Sequence, residues 1–172
     1  MVALINIGEW SLRSWAIEDM PALVKYADNR KIWMNVRDVF PHPYTRDDAE
    51  EWIKRVQEPL TNFAIASATE AIGGIGFNLQ EDIYRRSAEI GYWLGEPYWN
   101  KGIATRAVKA LAEYAFANFD LLRLYATVFE WNRASARVLE KNAFILEGRL
   151  VKSVSKDGKT IDSMLYALIR NE

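Results

Sequence analysis

The sequence predicts an α/β (α+β) fold, one mixed sheet covered by helices, and three observations predict it. The hydrophobic period changes from three-and-four spacing near the start to alternation after Asn62, then returns to helical spacing after Gly102. The resulting order is helices, a hairpin, strand, helix, strand, helix and a closing hairpin, the pattern of a sheet with helices laid against it. No low-complexity linker or internal repeat interrupts the 172 residues, so positions 1–172 read as one domain, long enough to bury a core without a staple.

Residues 11–13 are expected as a short first strand. Asp19 to Asp28 places Met20, Leu23, Val24 and Ala27 on one helical face, and Arg30 to Val36 follows as a second short helix. Pro41 and Pro43 in FPHPY lack backbone donors and restrict the residues before them, so periodic structure stops there. It resumes as a helix from Asp47 to Gln57, with Thr45 as its cap and Asp47 and Asp48 in the favoured first turn. Phe63 and Ile65 then alternate with Ala64 and Ala66. Ile72 to Leu79 pairs with them as a hairpin, and the glycines between Ala71 and Gly76 permit a bend or bulge. Glu81 to Ser87 is a polar connection and Glu89 to Leu94 the next strand. Ile103 to Asn118 is the longest helix, with a broad apolar stripe of Ala107, Val108, Leu111, Ala112, Ala115 and Phe116. Leu124 to Phe129 reads as a buried strand and Ala134 to Asn142 as a helix. Ile145 to Val154 and Ile161 to Ile169 form the closing hairpin through Lys156-Asp157-Gly158-Lys159, where glycine tolerates the positive φ of a tight turn.

Composition narrows the function. Hydrophobic residues make up 50% and charged residues 26%, a globular balance. The 22 basic and 23 acidic side chains leave a formal charge of -1, so no global field attracts nucleic acid or an anionic membrane. The absence of cysteine removes disulfides, thiolate nucleophiles and cysteine metal sites, and the lone histidine, His42, excludes His-rich zinc centres. The opening MVALINIGEW has no basic region followed by a long apolar core, and charges interrupt every hydrophobic run before membrane-spanning length. A soluble, cytoplasmic protein without a metal is expected.

Glu89 to Ala117 is the best site candidate: a strand, a turn with Gly95 and Gly102, and a long helix. The first N–H groups of that helix have no internal partner and point at whatever lies before it, which suits phosphate oxygens. Gly102 allows close approach to the backbone, Ala104 keeps the next position small, Thr105 adds a hydroxyl and Lys101 a charge. The turn matches neither G-x-G-x-x-G nor G-x-x-x-x-G-K-[ST]. A plain turn before an amphipathic helix remains the alternative on these residues alone.

The runs AEIGYWLGEPYWNKGIATRAVKALAEYAF and LYATVFEWNRASARVLEKNAF, with the loop FPHPYTRDDAEEWI, closely resemble the GCN5-related N-acetyltransferases, in the branch of the ribosomal-protein N-terminal acetyltransferases. The resemblance covers roughly residues 10 to 170 and implies a single, largely antiparallel sheet with a central splayed strand pair. It also implies acetyl-coenzyme A as cosubstrate. In such proteins the segment matching Trp99, Asn100, Lys101, Gly102, Ile103 and Ala104, with Thr105 just beyond, wraps the coenzyme pyrophosphate through backbone N–H groups. Trp99 departs from the usual Gln or Arg, and Ala143 from the usual Gly. Gly91, Tyr92, Trp93 and Leu94 match the strand that parts from its neighbour and bonds the pantetheine arm.

The same resemblance implies that Asn132 holds the coenzyme arm, that Ser135 lies near the cofactor thiol, and that Glu89 is the carboxylate available to relay the acceptor's proton. Asn132 and Ser135 also suit plain capping roles at a helix start, and Glu89 an exposed strand position. Tyr125 and Tyr166 are not tied by the sequence to the role of acid. Trp33, Phe40, His42, Tyr44, Tyr84, Arg85 and Arg86 are candidates for shaping the acceptor side, and Glu50, Glu51, Glu81, Asp82 and Glu96 for attracting a cation. The acceptor is left open between a protein N-terminal α-amine and a small amine such as a polyamine or aminoglycoside. An inactive coenzyme A-binding regulatory module is the competing reading, and a homodimer stays open.

Overall fold

The alternating residues after Asn62 become the inner strands of a sheet that runs through most of the chain. The computed structural model describes residues 4–56 and 60–170. Its strands are β1 (Leu4–Asn6), β2 (Ser11–Arg13), β3 (Asn62–Ala66), β4 (Ala71–Leu79), β5 (Ser87–Leu94), β6 (Arg123–Phe129), β7 (Ile145–Lys156) and β8 (Lys159–Ile169). They lie in the order β1-β2-β3-β4-β5-β6-β8-β7. Every neighbouring pair is antiparallel except β5 with β6. The helices are α1 (Met20–Ala27), α2 (Arg30–Trp33), α3 (Arg46–Arg55), α4 (Ile103–Asn118) and α5 (Arg133–Glu140).

The parallel pair shapes the molecule. It holds only over Ser87–Arg123, Ala88–Leu124 and Glu89–Tyr125. Beyond Glu89, β5 stays paired with β4 as far as Leu94, and β6 with β8 as far as Phe129, so the two halves of the sheet part there. Both faces of β3 and β4 are covered, which is why the expected in-and-out alternation of Phe63 to Ala66 is buried on both sides. The stripe of α4, with Ala107, Val108, Leu111 and Ala115, packs into the main core with Phe63, Phe77, Ile90 and Leu124. A second cluster joins α1 and α3 to β3 and β4 through Leu23, Ala49, Ile53, Ala64 and Ala71.

Local chemistry sets several element ends. Thr45 and Asp48 form a reciprocal capping box at α3, with the Asp48 N–H donating to Thr45 Oγ1 at 3.3 Å and the Thr45 N–H to Asp48 Oδ2 at 2.8 Å. Asp19 is buried, yet it accepts two 2.7 Å bonds from Arg13 and one of 2.9 Å from the Ala16 N–H, and these fix the 3-10 turn that enters α1.

The structure also corrects the sequence reading at several ends. Strand β1 was not expected, and a three-residue edge strand offers too little periodicity to reveal itself. The second helix ends at Trp33 rather than Val36, and the polar connection after β4 contains a 3-10 turn at Asp82–Tyr84. The helix expected to reach Gln57 ends at Arg55, and Gln57 itself lies outside the described residues. The bulge falls between Ile65 and Ala66 of β3, opposite the glycine-bearing strand. Ala143 does adopt the left-handed backbone, at φ 62.

Candidate active site

The parting of β5 from β6 opens a cleft of about 1790 Å³, lined along one side by consecutive residues and at its far end by residues from distant segments. The Gln80 N–H donates to Ser87 O and the Gly95 N–H to Ile72 O. Odd-numbered residues of β5 therefore direct their backbone groups to β4, and alternation turns the N–H groups of Tyr92 and Leu94 toward the gap. An unpaired strand edge of this kind accepts an extended, amide-bearing molecule.

At the end of β5 the chain turns through Glu96–Tyr98 into α4. Asn100 (φ 62) and Gly102 (φ 71) both take the left-handed conformation, which asparagine tolerates and glycine adopts freely. Gly102 is the N-cap of α4 and offers no side-chain acceptor, so the N–H groups of Ile103, Ala104 and Thr105 at the helix start face the cleft they line. Trp99 has a defined job: its indole N–H donates to Leu94 O at 2.7 Å, fastening the turn to the end of β5. Lys101 stands 5.4 Å from the Tyr98 ring centre. Arg106, which sequence reasoning left outside the candidates, donates to Lys101 O at 3.1 Å and would lie 3.8 Å from a Cβ added at Gly102. Its helical position just past the glycine was the available signal.

Across the cleft, α5 presents Asn132 and Ser135. Asn132 Oδ1 accepts from the Ser135 N–H at 3.2 Å, so this side chain caps α5 while also lining the cleft. Ser135 Oγ lies 2.7 Å from the Tyr92 hydroxyl, which also donates to Ser135 O at 3.2 Å. Burial pushes the Tyr92 hydroxyl up to about 12, against a partly offsetting hydrogen bond from Ser135, so it holds its proton across the neutral range. The side chain of Tyr92 is thus tied to Ser135, a pairing that strand and helix periodicity cannot reveal. Tyr166 is turned to Glu140 at 3.1 Å, and Tyr125 sits opposite Glu89 in the β5–β6 register. Trp93 packs edge-on against Phe40, and its ring lies where a Cβ on Gly74 would come within 2.7 Å, so glycine is required there.

Glu89 stands at the last pair of the β5–β6 ladder and lines the cleft, where Arg37 of the segment after α2 pairs with it. Of the acceptor-side candidates, Phe40 and Tyr44 line the cleft, and burial pushes the Tyr44 hydroxyl up. Trp33 and His42 stack on one another behind it at 5.8 Å, with His42 Nδ1 3.2 Å from Asp28. Tyr84 and Arg85 lie on the exposed turn between β4 and β5, and the structure does not bring them to the cleft; Arg86 pairs with Asp120. Among the acids, Glu51 lines the cleft, Glu50 pairs with Lys54, and Glu96 with Lys31.

Residues 10–145 match the family described as acetyltransferase (GNAT) domain. The chain belongs to the GNAT acetyltransferase family. Transfer of acetyl from acetyl-coenzyme A to an amine is the chemistry of that family, and the splayed sheet of this GNAT chain is its fold. An uncharacterized N-acetyltransferase, p20 of Bacillus licheniformis, is 30% identical over 94% of this chain and 93% of its own length. The ribosomal-protein-serine acetyltransferase of Escherichia coli is 36% identical over 62% of this chain and 59% of its own. Among solved structures, the ribosomal L7/L12 α-N-protein acetyltransferase RimL in complex with coenzyme A superposes with a TM-score of 0.85 at 24% identity, covering 97% of this chain and 98% of that one. Among the described residues, no three His, Asp or Glu side chains converge to hold a metal ion. No helix among them is long and apolar enough to cross a membrane.

Proposed function

We propose that this acetyltransferase acts on a protein N-terminal α-amine. The branch resemblance of its motifs and the likeness to a ribosomal-protein-serine acetyltransferase and to an α-N-protein acetyltransferase support the reading. The observation that carries it is the extent of the cleft, about 1790 Å³, whose lining includes the α4 turn, the open edge of β5, Phe40, Glu51 and the end of β7. Such a cleft has room for an extended chain. Strands from Leu4 to Ile169 build the one sheet, which supports a single catalytic domain.

In this reading the Ile103, Ala104 and Thr105 N–H groups and Lys101 hold the pyrophosphate, while the Tyr92 and Leu94 backbone and Asn132 hold the pantetheine arm. The N–H groups facing the gap also polarise the thioester carbonyl. Glu89 takes a proton from the acceptor ammonium, directly or through water, which gives nitrogen the lone pair that attacks the carbonyl carbon. The carbon–nitrogen bond forms, the carbon–sulfur bond breaks, and the thiolate takes a proton from Ser135, which is resupplied along the bond from Tyr92; the second proton shed by the acetylated nitrogen passes through water and restores Tyr92. Two fixed partners in line supply proximity as well as charge.

The test begins with calorimetric binding of acetyl-coenzyme A, followed by thiol release with N-terminal peptides, polyamines and aminoglycosides. Peptide-stimulated release, lowered about a hundredfold or more by Glu89→Gln with cofactor affinity intact, is the expected result. Release with a polyamine or aminoglycoside alone moves the acceptor to small amines. Saturable binding without any release leaves only a coenzyme-binding module.

A further inference from the structure

Glu89 lies where an acceptor amine must arrive, yet its seat is taken. Its side chain is 16% exposed, and the cation against it is the Arg37 guanidinium, whose own side chain is 65% exposed. A largely solvated arginine that covers a mostly buried acid is free to return to water at little cost to itself. Both residues line the same cleft as Tyr92, Ser135 and the α4 turn. The charges of Glu89 and Arg37 also act with opposite sign on the hydroxyl of Tyr125, the residue opposite Glu89 in the β5–β6 register.

The segment that carries Arg37 is tied to the closing hairpin by side chains on either side of this residue. Its neighbour Asp38 is held at 2.6 Å by Lys156 Nζ, and the Lys156 side chain, 1% exposed, lies 3.8 Å from the Trp33 ring centre. Arg30 joins Asp157 of the same hairpin at 2.7 Å. Arg37 itself makes its ion pair through a side chain that is mostly in water, so releasing Glu89 needs only a change of that side chain's rotamer.

We propose that Arg37 is a resident stand-in for the acceptor's cation: a protonated primary amine binds by displacing the Arg37 guanidinium from Glu89. The inference rests on the proposed amine-acetyltransferase reading and adds the identity of what the acceptor replaces. It assigns the seat to a monopolar cation. An acceptor carrying a carboxylate beside its amine would set that acid against the Glu89 carboxylate, so amines without a neighbouring acid are the favoured class.

Two measurements on Arg37→Met, which keeps the side-chain length, test the displacement. With wild type and variant at equal acetyl-coenzyme A affinity, KM for the amine that gives release falls about fivefold in the variant, the scale of one partly exposed ion pair, with kcat within about twofold. A KM that rises or stays level overturns the proposal, since Arg37 would then help hold the acceptor or stand outside its path. The second measurement needs no turnover. Carbodiimide coupling of ethanolamine, mapped by peptide mass, modifies Glu89 about fivefold faster in the variant, with the exposed Glu113 of α4 as internal reference. Equal rates at Glu89 overturn it. Faster labelling in a protein that acetylates no amine would reject the acetyltransferase reading while leaving the masked carboxylate in place.

Discussion

From Glu89 to Thr105 the cleft is lined by residues adjacent in sequence that present backbone groups, whereas its far end is assembled from side chains that meet only in the fold. The contrast is sharpest at Asp38 and Lys156, 118 positions apart and in direct contact. A backbone site needs a turn, a helix start and a strand edge, each of which leaves a local trace in the sequence. A side-chain site needs particular partners to arrive from elsewhere, and nothing local announces them. The first kind is tied to chemistry every acyl donor of one type shares; the second is free to vary with the acceptor.

The turn at Gly102 offers the largest effect with which to break that comparison. Gly102→Val places a β-branched residue at φ 71, where an L-residue pays roughly 1–2 kcal/mol. No crowding is involved, because the nearest atom to an added Cβ is Arg106 Nη1 at 3.8 Å. The loop relaxes out of the left-handed conformation and the helix-start N–H groups lose their aim. Acetyl-coenzyme A affinity is expected to fall about ten- to thirtyfold in calorimetry, with the fold retained by circular dichroism. Unchanged affinity would mean that the phosphates are held by Lys101 and Arg106 side chains rather than by backbone, and the two ends of the cleft would no longer differ in kind.

The sequence reading stands unevenly across these regions, for the same reason. The succession of elements from β2 onward, the long α4 and the closing hairpin at Asp157-Gly158 were legible because each repeats a period or demands a special turn. The splay came from resemblance, since no periodicity marks where β5 and β6 cease to pair. Strand β1, the early end of α2 at Trp33 and the 3-10 turn at Asp82–Tyr84 were too short to leave a pattern. At the site, Phe40 and Tyr44 reach the cleft while Tyr84 and Arg85 do not, and residue type could not separate them. The Arg37–Glu89 and Tyr92–Ser135 pairs were invisible for the same reason: both are settled by three-dimensional contact alone.

Tyr92 bridges the two kinds of construction, since its backbone belongs to the open edge and its hydroxyl to a side-chain pair. Tyr92→Phe is expected to lower turnover about tenfold while leaving acetyl-coenzyme A affinity within about twofold. Because burial raises this hydroxyl to about 12, the acid is not lost between pH 7 and 9. The sign for stability follows from the same shift. The folded state holds the proton more tightly than the unfolded chain, so the contribution is complete below the ordinary tyrosine value and is lost as pH rises through about 12. Urea unfolding of the wild type between pH 10 and about 12, the range set by those two values, shows that decline, and Tyr92→Phe makes it shallower. Wild-type turnover in the variant would leave Ser135 as the acid by itself.

Ala143 carries the smallest effect and asks whether a backbone conformation at this side of the cleft is maintained at a cost. It follows α5 at φ 62, and its methyl group is exposed. Ala143→Gly relieves about 1–2 kcal/mol of left-handed strain and gives back about 0.4–1 kcal/mol through the freer unfolded chain. A net gain of about 0.5–1 kcal/mol is expected in urea unfolding, with cofactor affinity unchanged. Destabilisation would mean that the turn is held by the Phe144 N–H bond to Leu139 O strongly enough to hide the strain, at 3.1 Å. A gain in stability together with a loss of affinity would place the strain in service of Asn132 and Ser135, since α5 ends at this turn, and would extend backbone control of the cofactor side from the α4 start to the α5 end.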